Sequence, residues 1–399
     1  MMKNTNMWLK SLIVGGVVLI GAYTGWALLR PVPALQPVSS SKLSFIQTPA
    51  SPIAWPSSPA AVGVLNSKIL ETNNNSKPFA TASTAKLLTS LLVLEKKPLK
   101  LGEQGPAITI TAEDVANYKN YVSKDGSVLP VKAGDQLSEY QALQAVMLPS
   151  ANNIADTLAI WAYGSLDNYI IAANKYLEKN NITDTTVGGD ASGLSPLTTA
   201  TAEDLVKIGL LATQNPVLAQ IAAQPTATLP GGLVVKNVNV LLGTQGVIGL
   251  KTGNSDAVGG AFVGATQTEK NGPVVVSAIT GASSLSDAMK SSLPLLKSAN
   301  QNIKTEMAVK PGQKVGEYIV PWGNNIDALA TDKLTALNWG GNKLAIETKL
   351  DPVKKSDYSG EIGAVQVRNF NSTSMRIVHV KLASQPTSPS IKWRLTHPF

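Results

Sequence analysis

The sequence predicts a mixed α+β domain, with an antiparallel sheet and a helical insert, followed by a small all-β domain. Two features carry this expectation. Helical periodicities fill the stretch from residue 86 to residue 212. They are bracketed by strand-like runs near residue 61 and beyond residue 247, an order in which one sheet collects strands from both ends of a domain. After about residue 301 short β-like runs alternate with turn clusters, the texture of an all-β module. With 44% of its 399 residues apolar and 15% charged, the chain can fill two cores.

The first element is a membrane segment. Residues 11–29 form a 19-residue run without a charge, preceded by Lys3 and Lys10. That is long enough to cross a bilayer as a helix, leaving residues 1–10 in the cytoplasm and the rest outside the cell membrane. The run exceeds the apolar core of an export signal and lacks an Ala-x-Ala end near residues 23–27. A retained single-pass anchor is therefore expected, with secretion after signal-peptide cleavage as the alternative. Residues 30–58 are crowded with proline and serine and read as a spacer free of helix and ladder. The folded domain, 59–300, opens with a β-hairpin at 61–65 and 69–71. Residues 86–95 are apolar nearly all the way round, so a helix there runs through a core. Further helices are expected at 139–147, 151–163, 166–179 and 201–212, strands at 247–251, 260–266 and 274–280, and a closing helix at 284–298. The β module, 301–385, has runs at 318–320, 344–350, 364–368 and 375–382, with turn signals at Lys310-Pro311-Gly312, Trp339-Gly340-Gly341 and Asp351-Pro352. A tail at 386–399 follows.

Composition excludes several chemistries. There is no cysteine, and the two histidines, His379 and His397, lie near the C-terminus. A Cys nucleophile, Cys-ligated zinc and a His-Glu-x-x-His helix cannot be built, so no metal or cofactor is expected. A Ser-His-Asp triad would have to borrow a late, distant histidine. The net charge of +8 suits an anionic surface such as phospholipid or cell-wall polymer. Arginine occurs only at 30, 368, 376 and 394, without the arginine and aromatic cluster of a nucleic-acid reader, so no nucleic-acid partner is expected.

Against that background three motifs stand in order: Ser83-Thr84-Ala85-Lys86, Ser150-Ala151-Asn152 and Lys251-Thr252-Gly253. Singly each is weak, since Ser39 to Lys42 repeats the first spacing and Ser298-Ala299-Asn300 the second tripeptide. Their settings make the conjunction informative. Ser83 sits where a polar segment gives way to the apolar helix, which puts Lys86 one turn on, on the same face, within reach of the hydroxyl. A serine nucleophile with an amine base is acyl-transfer chemistry.

The wider stretches are Lys77-Pro78-Phe79-Ala80-Thr81-Ala82-Ser83-Thr84-Ala85-Lys86-Leu87-Leu88-Thr89, Pro149-Ser150-Ala151-Asn152-Asn153, Asp190-Ala191-Ser192-Gly193-Leu194 and Gly249-Leu250-Lys251-Thr252-Gly253. Leu350-Asp351-Pro352-Val353-Lys354-Lys355 and Gly360-Glu361-Ile362-Gly363 follow in the β module. With these, residues 58–383 resemble the low-molecular-mass penicillin-binding serine D-alanyl-D-alanine carboxypeptidases, of the serine β-lactamase/transpeptidase-like fold. The resemblance implies hydrolysis of the terminal D-alanine from peptidoglycan stem peptides ending in D-Ala-D-Ala through an acyl-enzyme, with β-lactam antibiotics as covalent inhibitors. It implies Ser83 as nucleophile and Lys86 as base, kept neutral by partial burial and by the charge of Lys251. Ser150 would relay protons between the two lysines and the leaving amine, and Asn152 would hold the penultimate amide. Lys251 and Thr252 would bind the terminal carboxylate. Gly253 would let the peptide lie against its strand, and the N–H groups of Ser83 and Asn254 would meet the oxyanion.

Two departures stand out. The arginine that members often carry just after the last strand is absent from Gly281-Ala282-Ser283-Ser284, and the C-terminal amphipathic membrane helix of some members is not evident in 386–399. A class A β-lactamase would need Glu-x-x-Leu-Asn, which Glu178-Lys179-Asn180-Asn181-Ile182 does not supply. A D,D-endopeptidase acting on cross-linked peptides and a non-hydrolytic, membrane-tethered penicillin-binding or cell-wall-binding protein are the alternatives.

Overall fold

A computed structural model of the chain describes residues 5–39, 41–255 and 259–397. Lys3, on the expected cytoplasmic side, and the last two residues of the tail lie outside them. The chain divides into two units, Ala50–Ile303 and Met1–Pro49 with Lys304–Phe399.

Ala50–Ile303 is the mixed unit. Its five-stranded antiparallel sheet runs in the order Val247–Ser255, Gly259–Thr266, Val275–Ala282, Ala60–Val64, Leu70–Thr72. The two ends of the unit thus meet in one sheet, where Val275 to Ile279 pair with Val64 to Ala60. One face carries the helix Ala202–Gln214. There Gly209 lies so close that a Cβ on it would come within 2.8 Å of Val276 and 2.9 Å of Val263. The opposite face carries the helix Leu285–Asn300, with Ser292 and Ser277 hydroxyls 3.0 Å apart. Helices Glu139–Met147, Asn152–Tyr163 and Leu166–Lys179 complete the insert. The helix Lys86–Lys96 is buried at every position from Lys86 to Leu94, as its all-round apolar sequence requires. Its Leu87 and Leu92 share a core with Leu143, Ile154 and Leu158.

Several elements in this unit were not expected from sequence. The helix Ala112–Val122 is largely polar, which hides it, although Thr111 and Asp114 form the reciprocal capping box that marks a helix start. The short helix Pro216–Ala222 and the ladder between Thr226–Leu229 and Leu233–Lys236 also lie where no periodicity announces them.

The second unit is built on a seven-stranded antiparallel sheet in the order Gln36–Pro37, Lys314–Ile319, Ile326–Ala330, Met375–Leu382, Gly363–Arg368, Lys343–Leu350, Ser41–Gln47. Residues 30–58 are therefore not a ladder-free spacer, which corrects the compositional reading. The proline that argued against strands is confined to positions that tolerate it. Pro37 lies in a two-residue edge strand, where a missing N–H costs nothing. Ser41 to Gln47 contain no proline and pair with Lys349 to Lys343. The core of this unit includes Leu35, Tyr318, Ala336, Val365 and Val380. The apolar N-terminal segment is a helix, Thr5–Leu29. Its residues Met7–Leu29 are long and apolar enough to cross a membrane.

Gly260 tests the docking of the closing helix. A Cβ there would lie 2.2 Å from the Ser284 carbonyl carbon and oxygen, so Gly260→Ala is expected to cost about 1–3 kcal/mol as an overpacking substitution. Thermal unfolding should show a lowered Tm, and an unchanged midpoint would contradict the close approach.

Candidate active site

The site is assembled around a turn and an edge strand. Ala82–Ala85 form a 3-10 turn that runs into the helix starting at Lys86. Ser83 is half-buried within it. Ala82, at φ +44°, enters the left-handed region that most side chains avoid. The loop opposite imposes the packing: Gly193, at φ +76°, approaches so closely that a Cβ would lie 2.1 Å from the Ala82 carbonyl oxygen.

Lys86 is fully buried. Its Nζ lies 2.8 Å from Ser83 Oγ, 2.7 Å from Asn152 Oδ1 and 2.9 Å from the Ser192 carbonyl oxygen. Burial brings its pKa down to about 7, against the opposing pull of the Asp190 and Asp156 carboxylates. A neutral amine has two N–H groups and one lone pair. With Asn152 and Ser192 as acceptors, the lone pair faces the Ser83 hydroxyl, the geometry of a base. The expectation that Lys251 depresses Lys86 needs correction. Desolvation does so, and it is Lys251, also buried, that is held well below its ordinary value by burial and by the charge of Lys86.

Ser150 adopts φ +67°, a left-handed conformation that costs a serine energy and must be imposed by its surroundings. Those are visible on its C-terminal side. The Ala151 N–H donates to the Ala145 carbonyl at 3.0 Å and the Asn152 N–H to the Ser127 carbonyl at 2.7 Å. The Asn153 amide bridges the N–H and carbonyl of Leu129 at 2.9 Å each. Ser150 Oγ accordingly lies 3.0 Å from Lys251 Nζ, which also donates to the Thr252 carbonyl at 3.2 Å.

Lys251, Thr252 and Gly253 lie on Val247–Ser255, the outermost strand of the sheet. Strand alternation puts Lys251 and Gly253 on one face. A Cβ on Gly253 would meet the Thr81 carbonyl at 2.9 Å and Thr84 N at 3.2 Å. The missing side chain of Gly253 therefore also admits the serine turn, a reason the sequence did not supply. Asn254, exposed, follows on the same strand. The amide of Ser83, second residue of its turn, is among those a helix leaves without an internal acceptor.

Sequence reasoning singled out the stretch from Asp190 to Leu194 but gave it no role, and it missed Asp156 and Tyr121. Asp190 Oδ1 accepts from the N–H groups of Ser192 at 2.7 Å and Gly193 at 2.6 Å, and Oδ2 from Ser195 at 2.7 Å. This shapes the loop that offers the Ser192 carbonyl to Lys86. Asp156 accepts from the Ala191 N–H at 2.9 Å and from the Tyr121 hydroxyl at 2.7 Å. Burial raises its pKa. The available signal was a single carboxylate on the helix Asn152–Tyr163, four residues after Asn152.

Comparison with known proteins agrees with this arrangement. Residues 57–284 match the sequence profile described as D-alanyl-D-alanine carboxypeptidase. The chain belongs to the D-alanyl-D-alanine carboxypeptidase family. A relative in Mycobacterium tuberculosis, the D-alanyl-D-alanine carboxypeptidase DacB2, is 30% identical over 227 residues, covering 54% of this carboxypeptidase and 74% of the relative. Penicillin binding protein 5 from Haemophilus influenzae superposes with a TM-score of 0.57 at 19% identity, over 85% of this chain and 99% of that one. Penicillin-binding protein D2 from Listeria monocytogenes, solved in an ampicillin-bound form, gives a TM-score of 0.51 at 26% identity, over 60% and 96% of the two chains. The fold is thus the penicillin-binding, serine transpeptidase-like one, and this carboxypeptidase is a serine-type hydrolase.

The Gly193 contact yields a prediction. Gly193→Ala must displace Ala82 and with it Ser83 in this carboxypeptidase. Covalent labelling by a fluorescent penicillin should fall at least about tenfold, roughly 1.4 kcal/mol in the barrier, while circular dichroism stays native. Full labelling would show that the loop does not position the turn.

Proposed function

We propose that Ser83 Oγ attacks the carbonyl between the two D-alanines of a peptidoglycan stem peptide while Lys86 Nζ accepts its proton. The observation that carries this reading is the buried amine 2.8 Å from that hydroxyl, where burial lowers its pKa to about 7. A base with a pKa near the working pH is available in its free form and still able to hold the proton it takes. The tetrahedral oxyanion would be met by the N–H groups of Ser83 and Asn254. Asn152 would present its amide to the penultimate residue while its Oδ1 keeps Lys86 in place. Ser150, held against Lys251, would pass a proton to the departing D-alanine amine. Lys251 and Thr252 would bind the terminal carboxylate in place of the absent arginine, with the peptide running along the free edge of Val247–Ser255 as an added strand. Water then cleaves the ester and releases the shortened peptide. β-Lactams would acylate the same serine.

The apolar helix at Met7–Leu29 supports retention at the cell membrane with the catalytic domain, residues 59–300, on the extracytoplasmic side. The β domain, 301–385, would be joined there by residues 36–47. Incubation with a pentapeptide ending in D-Ala-D-Ala should release free D-alanine. Release of monomers from a cross-linked dimer, with the pentapeptide untouched, would instead make the protein an endopeptidase.

Three outcomes follow for the residues. Peptide mapping after fluorescent penicillin should find the label on Ser83, and Ser83→Ala should lose it without unfolding; label on Ser150 would refute the assignment. Acylation should rise with pH through about 7 and then level, because below that value Lys86 is protonated and has no lone pair; a rate independent of pH between 5 and 9 would exclude it as the base. Lys86→Arg should lose about 10²–10⁴-fold in acylation, since a guanidinium stays charged; near-normal activity would show that the proton goes elsewhere.

A further inference from the structure

The last residues of the second unit fold back on the end of the apolar helix. Arg394, in the six-residue helix Ile391–Thr396, donates from Nη1 to the carbonyls of Leu28 at 3.1 Å and Arg30 at 3.0 Å. The final carbonyls of a helix have no partner within it, so Arg394 acts as a C-terminal cap supplied by the far end of the chain. Arg30 reciprocates, donating from Nη2 to the carbonyl of Arg394 at 3.2 Å and to that of His397. The Tyr23 hydroxyl donates to the Leu395 carbonyl at 2.5 Å. The guanidinium of Arg30 lies between two indoles, 5.6 Å from Trp26 and 5.8 Å from Trp393. Trp393 meets Trp322 edge to face at 5.3 Å and donates its indole N–H to the Pro321 carbonyl at 3.0 Å. A helix this short has no stability of its own, so these contacts are what order it.

The chemistry of the cluster is that of a bilayer surface. Tryptophan and tyrosine at the end of an apolar span, followed by arginine and lysine, form the belt that sits at headgroup depth. A 23-residue span measures about 34 Å along its axis, against about 30 Å of hydrocarbon, so its last turn emerges among the headgroups. The outward residues include Leu29, 86% exposed, and Ile391, 65% exposed, and Lys392, with the polar Ser390, Thr396 and His397 exposed beside them. The chain holds no Asp or Glu before Glu71 and none after Glu361. Neither residues 23–30 nor residues 391–397 carry an acidic side chain. Charge and continuity with the span select an anionic bilayer as the occupant.

We propose that residues 391–397 form a membrane-surface clasp that locks the β unit onto the outer end of the anchor and presents Arg30, Lys392 and Arg394 to anionic phospholipid headgroups. The clasp rests on the reading of Met7–Leu29 as a retained membrane span. It replaces a flexible tether with a fixed joint.

A chain without cysteine allows single spin labels without background. The full-length protein is labelled at Ile391→Cys, and separately at Leu19→Cys in mid-span, and reconstituted in phosphatidylcholine vesicles with or without phosphatidylglycerol. The label at 19 should be accessible to oxygen. The label at 391 should be immobilised at headgroup depth, more so with phosphatidylglycerol. Adding Arg394→Ala should mobilise the 391 label and expose it to aqueous quencher, while D-alanine release from a soluble pentapeptide stays unchanged. A 391 label that is mobile and aqueous in both lipids while the 19 label lies in hydrocarbon overturns the clasp alone, as does an Arg394→Ala protein indistinguishable from the parent. A 19 label in water overturns the anchor and the clasp together.

Discussion

Lys86 is carried into the protein interior by a helix that is apolar on all sides, and an amine placed there must find partners or surrender its proton. It does both, and much of the catalytic unit serves that compromise. Asn152 and the Ser192 carbonyl take its N–H groups, which fixes the remaining direction of the nitrogen on Ser83. Asp190 and Asp156 limit how far burial depresses the amine. They also order the loop that supplies the Ser192 carbonyl. Electrostatic tuning and geometric positioning therefore rest on the same two carboxylates.

The second constraint is steric. A turn bearing a nucleophile and an edge strand meant for a substrate must approach more closely than side chains permit. Gly253 and Gly193 clear the space on either side of residues 81–85. The backbone conformations of Ala82 and Ser150 carry the strain that remains. Such strain survives only where neighbours over-determine it, and the hydrogen bonds through Ala151, Asn152 and Asn153 do so for Ser150.

The sequence made some of this legible and concealed the rest for identifiable reasons. Helix spacing alone relates Ser83 to Lys86, because the contact is local. The meeting of Ser150 with Lys251 depends on the sheet's topology and came only through resemblance to a known family. Tyr121 was invisible because its helix is polar enough to pass for a loop, and the Ser192 carbonyl because a backbone group has no sequence signature. In the β unit, the composition of residues 30–58 averaged prolines with a proline-free strand, Ser41–Gln47, and so concealed the edge that this strand supplies.

The two buried lysines have a consequence for selectivity. Lys251 is held down by burial and by the charge of Lys86, so a protonated Lys86 makes a second charge on Lys251 costly. On the proposed assignment, a ligand that arrives with a carboxylate at its end brings the counter-charge that Lys251 lacks, and the amine can then take up a proton without disturbing its partner. A ligand ending in an amide brings none. On that assignment, a free C-terminus is favoured over an internal peptide bond by the charge it brings to Lys251.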